Sequence, residues 1–184
     1  MTKVKYAVRK YGMEGITVRN ISEECNVNDS HLHRFYKNKE ELLLEAYKHE
    51  STSIFDAMLG YLDEARSVPL DTKSRVRLYF HWTWNEFLSD PARLAFCVYY
   101  YHSACFAMAQ EFHQSQIETL CGRLLPIFVD REHCEMTMNT LMTLLYDNAK
   151  RVIDENLDAS EMEERVFVMF YGIVSVQLGL KKSA

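Results

Sequence analysis

Four polar side chains, Ser30, His31, His33 and Arg34, fall within five residues, just after an Asn-Asp pair, Asn28-Asp29. Imidazole, hydroxyl and guanidinium groups presented together can read base edges and phosphates by hydrogen bonding. Asn28 is a good N-cap, and Asp29 in a first turn suits a helix dipole, so these groups face outward or toward the front of a helix. Lys37 and Lys39 follow. Asn38 between them reads as the N-cap of the next helix, which sets Lys39 in its first turn. A helix N-terminus beside lysine is a ready phosphate clamp. Thr17, upstream, is an N-cap and a third candidate phosphate contact.

Other chemistry is absent by spacing. The chain has no Gly-x-Gly-x-x-Gly, no P-loop and no Gly-x-Ser-x-Gly. Repeated Glu-x-x-His, as a di-iron bundle needs, does not occur. Glu45 and His49 make a single i, i+4 pair, and His102 with Cys105 is half of a zinc site at most. The expectation is no catalytic residue, no metal, no cofactor and no enzyme. Five cysteines without a Cys-x-x-Cys pair read as reduced, packed thiols. The start, MTKVKYAVRKYG, lacks the apolar stretch of a signal peptide, and no run is long enough to span a bilayer. The expectation is a cytoplasmic protein without a membrane partner.

The elements around the polar cluster are short helices. Val4, Val8 and Tyr11 form an apolar stripe that ends at Gly12 and Gly15, where positive φ ends a helix. Thr17 opens a second helix with Val18, Ile21 and Cys25 inward. Asn26 marks a sharp turn, since asparagine tolerates the left-handed region better than most residues. Val27 and Leu32 stand where a hydrophobic staple would, and Leu32, Phe35 and Tyr36 are expected to supply the buried side of the third helix. This is the geometry of a DNA-reading helix-turn-helix.

The stretch YGMEGITVRNISEECNVNDSHLHRFYKNKEELL resembles the DNA-binding domain of the tetracycline-repressor (TetR) family of bacterial transcription regulators. The likeness spans about residues 3–46 and holds the glycine turn, Thr-Val, Ile21, Val27, Leu32 and Lys-Asn-Lys before Glu-Glu-Leu-Leu in register. It departs at Asn26, where the family usually has glycine, and at His33, where it has a phosphate-touching tyrosine. The resemblance implies an all-α homodimer of about nine helices per chain. Residues 1–46 would bind double-stranded operator DNA; residues 47–184 would bind a small apolar or aromatic effector and dimerise. It also implies a repressor released by that effector. A second reading, resting on the departures, is a helical ligand-binding or protein-interaction module that no longer binds DNA.

Charge agrees in sign. Residues 1–39 hold eight Lys/Arg against four Asp/Glu, and the remainder 13 against 22, within a net charge of −5. The rest of the chain reads as helices: Glu40 to about Glu64, then one carrying Val76, Tyr79, Phe80, Thr83 and Phe87 on one face. Asp90-Pro91 starts the next, and Pro126 interrupts. Asp130 opens a helix to about Glu155. A capping box, Ser160-x-x-Glu163, is expected to open the last, to about Leu180. The pair 131–155 and 160–180 is expected to form a four-helix dimer interface, with Gly172, Ser175 and Gly179 allowing close approach. Aromatics interleaved with polar handles, Trp82, Phe87, Tyr99, Tyr100, His102, Phe106 and His113, are the expected effector-binding set; packed core is the alternative.

Overall fold

A computed structural model describes residues 3–124 and 130–182, the side chains of 178–182 excepted. The expected break at Pro126 and the side chains of Leu178 and Leu180 therefore lie outside the described residues, as does any contact at Gly179. The described chain is all-α: α1 (Val4–Gly15), α2 (Val18–Cys25), α3 (Asp29–Phe35), α4 (Lys39–Ser67), α5 (Thr72–Ser89), α6 (Pro91–Tyr101), α7 (Gln110–Leu124), α8 (Arg131–Asp154) and α9 (Ala159–Lys182). A 3₁₀ turn, Ala104–Ala109, joins α6 to α7.

Side-chain caps set most of the starts. Thr17 accepts from the Asn20 amide, and the Asn20 side chain returns the bond to the Thr17 amide at 3.0 Å. Asn38, Asp71, Asp90 and Asp130 cap α4, α5, α6 and α8 in the same way, each satisfying amides that have no partner inside the helix. The last helix differs from expectation. Asp158 Oδ1 accepts from the Glu161 amide at 2.7 Å, so the cap is Asp158 and Ser160 lies inside the first turn. An upstream carboxylate, favoured by both capping and the helix dipole, takes the position ahead of the hydroxyl. Glu163 is freed for α5, with Oε1 2.8 Å from His81 Nδ1.

Helix α1 packs on α2 and on α6, α4 on α5 and α6, and α8 on α5, α6, α7 and α9. The core is aromatic at its centre, with Tyr47, Phe80, Trp84, Phe87, Phe96, Tyr100 and Tyr146 all fully buried. Each such ring contributes roughly 1.5–3 kcal/mol by leaving water. Helix α4 runs unbroken from the leading helices into this core, and the junction of residues 46 and 47 falls within it. Among the described residues, no helix is long and apolar enough to cross a membrane.

Candidate functional site

The leading three helices hold a sharp angle between α2 and α3. Gly12 bends α1 at φ 72° and ψ 164°, a conformation open to glycine. Asn26 sits at φ 55° and ψ 46°, left-handed as expected for the turn. Asn28 caps α3, its Oδ1 accepting from the Ser30 amide and hydroxyl at 3.1 and 3.0 Å. Ile21 is completely buried against the other two helices. The result presents α3 outward: Asn28, Ser30, His31, His33 and Arg34 are all exposed, as are Thr17 and Lys37, with Lys39 half-buried. Among the described residues no ion pair engages Arg34, Lys37 or Lys39, so their charges are available to a phosphate. Arg19 is already paired, its Nε 2.9 Å from Glu23.

Phe35 lies on the outside of α3. The sequence pattern places it inside, yet it is 73% exposed, with its ring 6.3 Å from that of His31. The helix ends at Phe35, and Tyr36 continues at φ −129° and ψ 129°. Tyr36 and Leu32 are partly buried against the core, while Phe35 shares the outer face with His31, one turn earlier.

Lys5, counted among the cations of the head, is buried. Its Nζ lies 3.1 Å from Glu50 of α4 and 2.6 Å from Asp90, the cap of α6. Burial pulls the ammonium down, but the two carboxylates outweigh it and hold the pKa above the ordinary lysine value. The sequence carried no signal for this triad, because its members are 40 or more residues apart.

The seven expected effector residues do not share a pocket. Tyr100 stacks on Tyr47 at 4.4 Å, and Phe106 and His113 close around the same ring cluster, 5.3 Å apart. Phe87 packs on Tyr146. Trp82 lies half-buried against Tyr61, Tyr99 sits under the Lys150 ammonium, and His102 is exposed, 3.0 Å from Asp147. The rings of Phe87, Tyr100, Phe106 and His113 pack against neighbouring rings between the helices, while Tyr99 and His102 lie at the surface. An apolar cavity of about 170 Å³ lies elsewhere, between α4, α5, α7, α8 and α9, and none of the seven lines it. Its walls are aliphatic, with Phe170 at one side. Arg66, Thr72, Arg75 and Tyr79 are its polar groups. Among the described residues no cluster of His, Cys, Asp and Glu could hold a metal.

Residues 8–46 match the family model described as bacterial regulatory proteins, tetR family. Over those residues the chain is similar to the N-terminal domain of that family. Several solved structures share its fold over more than nine-tenths of the chain, among them the following. A TetR family transcription regulator from Marinobacter aquaeolei VT8 is 20% identical, with a TM-score of 0.70 over 94% of this chain and 91% of that one. A protein from Shewanella sp. PV-4 assigned to the tetR family is 16% identical, with a TM-score of 0.65 over 93% of each chain. The TetR family regulator PfmR from Thermus thermophilus, also 16% identical, gives 0.57 over 94% and 95%. Comparison with curated proteins finds no match. Within the tetR pattern, Asn26 shows how this chain dispenses with the usual turn glycine: the backbone is left-handed regardless, and the Val27 amide bonds the Ser22 carbonyl at 3.0 Å.

Proposed function

We propose that the protein is a homodimeric, ligand-responsive DNA-binding regulator, acting as a repressor that leaves its operator when a small molecule fills the cavity. The observation that carries this is the capped helix-turn-helix in the tetR-matching segment, with its polar front exposed and, among the described residues, no ion pair on Arg34, Lys37 or Lys39. Ser30, His31, His33 and Arg34 enter the major groove, and Asn28 stands at the helix entry. Thr17, Lys37 and Lys39 hold phosphates. Residues 1–46 form the reading head and residues 47–184 the effector and dimer body.

The cavity replaces the ring cluster as the effector site, because it offers space, apolar walls and a few polar groups. It borders α4, the helix that continues into the head, so a ligand that shifts α4 shifts the head. The second copy is argued from α9. Val168, Gly172 and Val176, spaced by four, lie exposed on one stripe, the two valines at 70% and 60%. Glycine inside a helix costs about 1 kcal/mol against alanine, yet a Cβ at Gly172 would meet nothing within 4 Å in its own chain. Close approach of another helix accounts for both.

Selection of bound duplexes from a random pool, repeated across salt concentrations, tests the reading. A near-palindromic sequence is expected. Lys39→Ala weakens binding to every sequence and lowers the salt slope by about one unit. His31→Ala changes the preferred sequence. A pool that enriches nothing ends the proposal and favours a module that has lost DNA binding.

A further inference from the structure

The cavity between α4, α5, α7, α8 and α9 has an electrically unbalanced wall. Thr72, Arg75, Val76 and Tyr79 line one side of it from a single face of α5, with Arg75 and Tyr79 one turn apart. Arg75 Nη2 donates to the carbonyls of Leu70 at 2.9 Å and Val68 at 3.4 Å, which fixes the guanidinium against the α4–α5 connection. Its Nε–H is buried with no hydrogen-bond partner. The Tyr79 hydroxyl is buried too, with no hydrogen bond of regular geometry; the Thr83 hydroxyl lies close enough only to oppose in part the effect of burial on the phenol. Burial pushes the Tyr79 phenol up to about 12, so it remains a donor at neutral pH.

A buried donor without an acceptor is costly, and here two of them border one apolar space. No Asp or Glu lines the cavity, and among the described residues no carboxylate pairs with Arg75. Arg66, the other cation at the wall, is already engaged by Asp63 and by the Arg123 carbonyl. One unpaired cation with a hydroxyl beside it suits a monoanion; the second charge of a phosphate would go unmatched.

We infer that the cavity binds a small organic acid, its carboxylate taken by Arg75 Nε and the Tyr79 hydroxyl and its hydrocarbon body lodged among Met138, Leu141, Met142 and Phe170. This rests on the reading of the cavity as the effector site. The space suits a ring or short chain of about six to eight carbons, since a cavity of ~150 Å³ accepts benzene.

Calorimetric titration of the full chain with octanoate, octan-1-ol and octylamine separates head-group charge from hydrocarbon. Octanoate is expected to bind at least about ten-fold more tightly than octan-1-ol, as a charge-assisted bond implies, with octylamine weakest. Arg75→Met brings octanoate down to the alcohol and leaves the alcohol unchanged. Because Arg75 also holds the α4–α5 connection, Tyr79→Phe is the second variant. It keeps the ring and weakens octanoate alone by about five-fold. Equal binding of acid and alcohol, or no binding of octanoate, overturns the inference. Octanoate that binds as expected but leaves affinity for the selected DNA unchanged upholds the site and removes its regulatory role instead.

Discussion

His113 illustrates what a single buried titratable group does to this molecule. Its ring lies among Phe55, Tyr101 and Phe106, at 5.9, 5.5 and 5.3 Å, with Nδ1 3.5 Å from the Tyr47 hydroxyl. Burial pulls its pKa from 6.5 down to about 4, with Asn139 opposing weakly. The folded state therefore holds His113 neutral, while the unfolded chain takes up the proton as pH falls through about 6.5. Stability is whole above that value and drains away as the pH drops toward 4. The loss between pH 7 and pH 5 from this residue is about 2 kcal/mol. Urea unfolding at the two pH values should give His113→Phe a smaller pH dependence by about that amount. Identical slopes for variant and wild type would show that His113 is not the group responsible.

Among the elements, the junction of α1 with α4 and α6 has the most at stake. Lys5 and Glu50 are both almost fully buried, and Asp90 divides its carboxylate between Lys5 and the amides that open α6. Removing the ammonium leaves the buried Glu50 with only the exposed His49 imidazole, 3.5 Å away, beside it. Lys5→Met should therefore destabilise by about 3 kcal/mol or more. Lys5→Met with Glu50→Leu should recover much of the loss, because the isolated charge goes too. Denaturant titration of the single and double variants reads this directly, and additive losses would refute it. The triad also joins α1 to α4 and α6, so on the proposed function the double variant tests the coupling: it should fold yet transmit effector binding to DNA less well.

For the whole molecule, the outstanding matter is assembly. In α9, Val166, Phe167, Phe170 and Val174 face the chain's own core, while Val168, Met169 and Val176 stay exposed. A helix apolar on both sides wants two partners. Light scattering should give a dimer mass for the wild type, and Val168→Glu with Val176→Glu should shift it to monomer without lowering helicity. A wild-type monomer at micromolar concentration would remove the proposed interface, and with it the paired heads a palindromic operator needs.

The local chemistry of the chain was legible from its residues alone. The caps at Thr17, Asn28, Asn38, Asp90 and Asp130, the left-handed turn at Asn26 and the glycine bend at Gly12 depend on neighbours within a few positions, and sequence contains those neighbours. The all-α class and the tetR-like head followed from them. The misreadings were of two kinds. Asp158 against Ser160 was a contest between two nearby caps, and Phe35 against Tyr36 turned on where one helix stops. The Lys5 triad, the cavity beside Arg75 and Tyr79, and the filling of the aromatic region were decided only by tertiary packing. Whether a row of rings encloses space or occupies it depends on which distant side chain arrives opposite, here Tyr47 and Tyr146, and no spacing along the chain records that.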